Sequence, residues 1–253
     1  MEFFDSHSHY NDEKFDDDRE YIIEETYKND ITKFMCIGYN VKQSKKAIEI
    51  AKKYSYIYVT AGISPNDIEE NVLNDIYIIE EISKDDKVKA IGEIGLDYYW
   101  NKDNKEIQKE VFVKQIDLAN KLELPIVIHN RDAYVDTIKI LKEHQVYKKG
   151  IFHCCQLNQE LIKDALKLGF YISFSGNITF KNAKAEEAVS LVPMNRLLIE
   201  TDSPYLTPEP HRGTRNTSIN VKYVADKIAN IKCVSLEEVA KTTYENAMRI
   251  YNI

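Results

Sequence analysis

The chain has 253 residues, 43% of them hydrophobic and 30% charged, with a formal net charge of −7. This is the composition of a folded protein large enough to bury a core without disulfide or metal staples. The acidic balance excludes a protein that coats its whole surface with nucleic acid, although a local field of the opposite sign stays open.

The four cysteines, Cys36, Cys154, Cys155 and Cys233, form no CxxC pair. A thiolate zinc site is therefore not expected, and free thiols in a reducing cytoplasm are. The N-terminal MEFFDSHSH has neither a basic segment nor an apolar run, which argues against a signal peptide. No uncharged apolar stretch reaches the ~20 residues needed to cross a bilayer. The expected location is the cytoplasm, with no membrane partner and no stable protein partner. No Pro-rich or Gly/Ser-rich linker interrupts the chain, so residues 1–253 read as one domain.

In chain order, the strand-like run EFFDSHSH (2–9) precedes the helical pattern DREYIIEETYKN (18–29), and KFMCIGYN (33–40) precedes VKQSKKAIEIAKKY (41–54). YIYVTAGISP (56–65) and VKAIGEIGLDYY (88–99) follow, the latter leading to the helical KEIQKEVFVKQIDLANKL (105–122). LPIVIHNRD (124–132) leads into AYVDTIKILKEH (133–144), and GIFHCC (150–155) into QELIKDALKLG (159–169). GFYISFSGN (169–177) and RLLIETDSP (196–204) complete the strand-like runs. Helices near 220–231 and 236–251 end the chain, the second with a capping box of Ser235 and Glu238. Apolar residues recur three and four apart in the helical segments. Eight strand-like runs alternating with about eight helices predict a single (β/α)8 TIM-type barrel. A doubly wound open sheet fits the same alternation.

In a parallel barrel the chemistry sits at the C-terminal ends of the strands. The first run ends in His7-Ser8-His9, the fourth carries Glu93 and then Asp97, the fifth ends with His129, the sixth with His153, and the eighth with Glu200 and Asp202. Strand residues two apart share a face, so His7 and His9 can converge on one ion. A lone strand-end histidine is usually a hydrogen-bonded rim residue. Four of them with two carboxylates at matching heights point to a metal site. Imidazole and carboxylate donors suit zinc, manganese or iron better than magnesium. His144 lies in a helical stretch and receives no role.

The segments FDSHSH, GISP, IGEIGLDYYW, LPIVIHNRDA, GIFHCC, GFYISFSGNITFKNAK, LLIETDSPYL and PHRGTRN resemble, in order, those of the TatD family of metal-dependent hydrolases, a branch of the amidohydrolase-like barrels. The resemblance implies two divalent cations per chain, zinc, manganese or magnesium. His7, His9 and Asp202 would bind the first, His129 and His153 the second, and Glu93 would bridge them. No carboxylated lysine is needed, because Lys87 and Lys89 lie at the other end of the fourth strand. The implied reaction is phosphodiester hydrolysis by metal-activated water, with Asp202 and Glu93 catalytic and Asp202 accepting the proton. The implied substrate is DNA, single-stranded or frayed, shortened 3′ to 5′ from a strand end.

Ser64, Asp97, Arg131, Glu200, His211 and Arg212 form the expected substrate-facing group. Glu200 within it is read as orienting a ligand histidine, or equally as a buried strut. His211, Arg212 and Arg215 are expected to offer donors to a phosphate from the barrel mouth. Arg131 either does the same or pairs with Asp132 or Asp97. Tyr98, Tyr99 and Trp100 either stack nucleobases or pack on the barrel rim. The family usually carries histidine at the positions of Ser64 and Asn66, and this departure weakens the nuclease reading. The rival readings are a hydrolase of a small ester, amide or lactone, a deacylase of aminoacyl-RNA, and a non-catalytic metal-binding protein.

Overall fold

The computed structural model describes residues 1–100 and 102–253. Eight strands pair in parallel in the order β1 to β8: Phe3–Ser8, Ile31–Ile37, Ile57–Ala61, Val88–Asp97, Ile126–Arg131, Gly150–Phe152, Tyr171–Phe174 and Leu197–Ile199. Helices α1 (Arg19–Lys28), α2 (Val41–Lys52), α3 (Val72–Ile82), α4 (Lys105–Leu122), α5 (Tyr134–Glu143), α6 (Gln159–Lys167), α7 (Ala185–Leu191) and α8 (Val221–Lys232) cover the outside, and α9 (Leu236–Tyr251) follows. The seam between β1 and β8 is closed by a parallel bridge from Ser8 to Ser203 and by the bonds His9 N to Ser203 O and Asp202 N to His7 O, 2.7 and 2.9 Å. This is the TIM-type barrel, not the open sheet.

The alternation of strand side chains divides the core in two. Ile126 and Ile128 of β5 pack outward against the helices, whereas Val127 points into the lumen with Phe4, Met35, Ala90, Ile151 and Leu198. Tyr251 of α9 joins that inner cluster, stacking on Phe4 with ring centroids 6.1 Å apart. Its hydroxyl donates to Ser6 O at 3.0 Å, so the last helix ties into the barrel wall beneath the site. Ser235 caps α9 by accepting from Glu238 N at 3.1 Å, as its sequence signature predicts.

Several strand-like runs are longer than the strands they form. β6 stops at Phe152 and β8 at Ile199, so His153, Glu200 and Asp202 lie just beyond the pairing. There the backbone turns sharply, with Cys154 at φ 39° and Asp202 at φ 56°. The turn at Asp202 is held by Asp202 N donating to His7 O and Tyr205 N donating to Asp202 O, both at 2.9 Å. No helix among the described residues is long and apolar enough to cross a membrane. Cys36, Cys154, Cys155 and Cys233 are all free thiols.

Candidate metal centre

His129 follows Val127 on β5 at strand period two, so its ring faces the lumen by simple alternation. Glu93 does not: Ala90 faces in and Ile91 faces out, so strict alternation would send residue 93 outward. A register shift between Ile91 and Ile94 changes the parity and turns Glu93 inward. A second shift, between Asp5 and Ser8 of β1, brings His7 to the same side as Phe4. Gly95 permits the close approach of β4 to β5 beside the site. Its φ is +138°, and a Cβ there would stand 2.0 Å from His129 O.

The donor atoms gather in two groups. His7 Nε2 lies 3.2 Å from His9 Nε2, 3.5 Å from Glu93 Oε2 and 3.6 Å from Asp202 Oδ1, and His9 Nε2 lies 3.2 Å from Asp202 Oδ1. On the other side, Glu93 Oε1 lies 2.9 Å from His129 Nδ1 and 3.4 Å from His153 Nε2, and those two nitrogens are 3.3 Å apart. Donors around one tetrahedral cation with bonds of about 2.0–2.1 Å are separated by about 3.3–3.4 Å. The separations in the two groups, 2.9 to 3.6 Å, bracket this spacing. Glu93 places one oxygen in each, and the chemistry of the donor set fits divalent cations.

Burial opposes charge on Glu93, yet His153 and hydrogen bonds from His129, His153 and His7 hold its carboxyl well below the usual carboxylate range. Burial likewise opposes the charge on Asp202, and His9 and His7 outweigh it, so its carboxyl is lowered. Burial works against protonation of His9, His129 and His153, but facing carboxylates raise all three. In His7 burial and the neighbouring His153 lower it. The cluster thus couples lowered carboxylates at Glu93 and Asp202 to raised imidazoles at His9, His129 and His153.

Glu200 and Asp97, expected to face substrate, stand behind the histidines and do not line the cavity. Glu200 is fully buried, accepts from Cys154 N at 2.6 Å, and lies 3.4 Å from His153 Nδ1, too poorly aligned to count as a hydrogen bond. The His7 and His153 rings stack at 3.9 Å and 10°, and one nitrogen of each lies within 4.8 Å of a Glu200 oxygen. Asp97 Oδ2 meets His129 Nε2 at 2.9 Å and accepts from Asn66 Nδ2 at 3.2 Å, while Oδ1 accepts from Tyr99 N and Trp100 N. Burial pushes the Asp97 carboxyl up, but its bonds to His129, Trp100 N and Asn66 outweigh that and carry it down to about 2.

The loop after β8 also differs from expectation. Arg212 lies over Phe180, 3.7 Å from the ring centroid, and donates to Thr207 O at 3.0 Å. Arg215 pairs with Asp18 through two bonds of 2.9 and 2.6 Å, and His211 Nε2 meets the Tyr223 hydroxyl at 2.8 Å. None of the three lines the cavity. Phe180, Asp18 and Tyr223 hold these three side chains outside the cavity lining. Tyr98 donates to Asp136 Oδ2 at 2.7 Å, so it packs on the flank of the barrel.

A cavity of about 890 Å³ opens over the donor groups. Ser64 and Arg131 line it, as does Trp100. Asp12, Tyr39, Asp67, Cys154, Gln156, Asn177 and Tyr205 line it too. These escape sequence reasoning because they come from loops, where no period tells which side chains face inward. One other residue, Asp5, has a signal in its spacing, two before His7. Its buried carboxylate accepts from Thr201 Oγ1 and Ser218 Oγ at 2.5 Å and from Thr201 N at 2.9 Å. It thereby fixes the residue before Asp202 to the strand that carries His7.

A family profile described as "TatD related DNase" matches residues 4–252. The chain is 45% identical to the uncharacterized metal-dependent hydrolase YabD of Bacillus subtilis, over 99% of both chains. It is 40% identical to the uncharacterized metal-dependent hydrolase YcfH of Escherichia coli, over 78% of this chain and 74% of that one. Among solved structures it is similar to a TatD family hydrolase from Entamoeba histolytica, with TM-score 0.88, 26% identity and coverage of 99% and 98%. The fold is shared with YjjV, a TatD homologue from Escherichia coli, with TM-score 0.94, 23% identity and coverage of 99% and 98%.

Proposed function

The chain belongs to the TatD family of metal-dependent hydrolases, and from that premise we propose that it hydrolyses phosphodiester bonds in DNA with two divalent cations. The observation that carries this reading is the division of one carboxylate between two groups of donors: Glu93 Oε2 toward His7, Glu93 Oε1 toward His129 and His153. His7, His9 and Asp202 would hold one cation and His129 and His153 the other, with Glu93 between them. When bound, such ions polarise phosphoryl oxygens and make water a nucleophile near neutral pH.

The protein's own groups do the rest. Asp202 is the proton acceptor for the attacking water: His9 engages its Oδ1, while Oδ2 makes no hydrogen bond among the described residues and the side chain lines the cavity. Asp97 bonds the His129 ring from behind, and the Glu200 carboxylate faces His153 from behind at 3.4 Å. The cavity wall carries the carboxylates of Asp12, Asp67, Glu93 and Asp202 against one cationic side chain, Arg131. A bare site of that sign repels a phosphodiester, and two divalent cations reverse it, so substrate binding is tied to metal loading. Ser64 offers a hydrogen bond at the wall but cannot exchange a proton near neutral pH.

One observation favours a second reading, hydrolysis of a small ester, amide or lactone or of an aminoacyl-RNA. Ser64 and Asn66 stand where a histidine would assist the leaving group, and the lining holds no lysine among the described residues. One pair of assays separates the two. The protein is stripped with a chelator and reloaded with Mg²⁺, Mn²⁺ or Zn²⁺. It is then given end-labelled single-stranded DNA and a panel of carbonyl substrates. Successive shortening of the DNA supports the nuclease, and turnover of carbonyl substrates alone overturns it.

A further inference from the structure

Arg131 is the last residue of β5, two beyond His129, and therefore sits on the same face about 6.6 Å further along the strand, toward the mouth. Among the described residues lining the cavity it is the one arginine or lysine. Of the two alternatives for Arg131, the pairing with Asp132 or Asp97 is not the one seen: Asp97 bonds His129, and Asp132 Oδ1 accepts from Gln156 Nε2 at 3.4 Å. The guanidinium instead lies over Tyr99, 3.9 Å from the ring centroid, with Trp100 at 5.3 Å. Tyr99 and Trp100 meet edge to face at 4.8 Å and 87°, and their turn is anchored by both backbone N–H groups donating to Asp97 Oδ1. A guanidinium over an aromatic face is held without using its in-plane N–H groups, which remain available for an anion. Trp100 is 65% exposed at the rim of the same cavity.

We propose that Arg131, Tyr99 and Trp100 form a subsite for the nucleotide adjoining the scissile linkage, with Arg131 binding its phosphate and Trp100 stacking on its base. The proposal rests on the nuclease reading above and assigns that reading an unpaired substrate. Inside a duplex both faces of a base are already stacked, so the exposed indole is offered only to a single strand or a frayed end. The phosphate contact is built from the one arginine or lysine of the described lining rather than from the loop arginines, which lie outside the lining and bond Thr207 and Asp18. It also accounts for the packing of the strand-four loop: Asp97 holds both the ligand-side histidine and the aromatic turn, so the subsite and the metal centre share one support.

The test compares kcat/KM of metal-loaded wild type, Arg131→Gln and Trp100→Leu on two substrates. One is a short single-stranded DNA. The other is bis(nitrophenyl) phosphate, which has neither a second phosphate nor a base. Loss of a charge-assisted phosphate contact should lower the DNA value of Arg131→Gln about 10- to 100-fold, chiefly through KM. Loss of one stacked base should lower that of Trp100→Leu about 5- to 100-fold. On the small diester both variants should stay within about threefold of wild type, since the proposed contacts are to an adjoining nucleotide that this substrate lacks. Equal losses on both substrates, or none on DNA, overturn the subsite and leave the nuclease reading standing. Wild-type cleavage of the small diester with no cleavage of DNA overturns both.

Discussion

Asp5 is the residue whose replacement bears most directly on how the site is held. Its carboxylate is fully buried in β1 and receives the hydroxyls of Thr201 and Ser218 and the amides of Thr201 and His7. Asp5→Ala leaves these four donors without a partner. At about 1–2 kcal/mol each, the cost is about 4–8 kcal/mol, a large share of the ~5–15 kcal/mol that separates folded from unfolded domains. Asp5→Asn keeps the shape and one acceptor oxygen, and its amide can donate to a hydroxyl that has turned round. It should cost about 1–2 kcal/mol. The pH dependence has the opposite sign to that of a surface carboxylate. Burial pushes the Asp5 carboxyl up to about 7, although its hydrogen bonds oppose the shift. Between about pH 4 and 7 the folded chain keeps a proton that the unfolded chain releases, so this group's contribution falls as pH rises. Asparagine does not titrate, so the stability difference should move in its favour across that window. Urea unfolding of chelated wild type and both variants at pH 4.5 and 7.5 measures all of this. Stability of Asp5→Ala within about 0.5 kcal/mol of wild type, below the usual cost of a buried unpaired donor, would refute the reasoning.

Glu200→Gln should weaken metal affinity about 10- to 100-fold, the usual effect of removing a carboxylate that supports a ligand histidine. Calorimetric titration of Zn²⁺ or Mn²⁺ reads it, and unchanged affinity contradicts the role behind His153. Bound metal should be lost as pH falls below about 6, because protons compete for imidazoles with ordinary values near 6.5. The carboxylates that raise His9, His129 and His153 strengthen that competition in the metal-free protein. Full metal content after dialysis at pH 4 contradicts the ligand assignment. Arg212→Ala should change kcat/KM on DNA by less than about threefold, since its donors serve Thr207 and Phe180 rather than the cavity. A loss of tenfold or more returns the loop to the substrate.

The barrel was legible because eight apolar runs alternate with helical patterns, and barrels put chemistry at strand ends. His129 is the plainest case: Val127, His129 and Arg131 share one face by simple alternation. Glu93 and His7 are not so simple. Each faces the lumen through a register shift, in β4 and β1, that no periodic count reveals. The loop residues were the hardest to read. Arg212 and Arg215 carry a phosphate-binding charge, but Phe180 and Asp18 claim it, and both partners are remote in sequence. Asp97 and Glu200 have the right chemistry and the right height, yet they stand one layer behind the cavity wall. Depth of that kind depends on how neighbouring side chains pack, not on spacing along the chain.

The most direct measurement is an anomalous-scattering map from crystals of the wild-type protein loaded with Mn²⁺ or Zn²⁺. The account predicts two peaks per chain, one among His7, His9 and Asp202 and one between His129 and His153, each beside a different oxygen of Glu93. A single peak, or peaks away from these side chains, would contradict it.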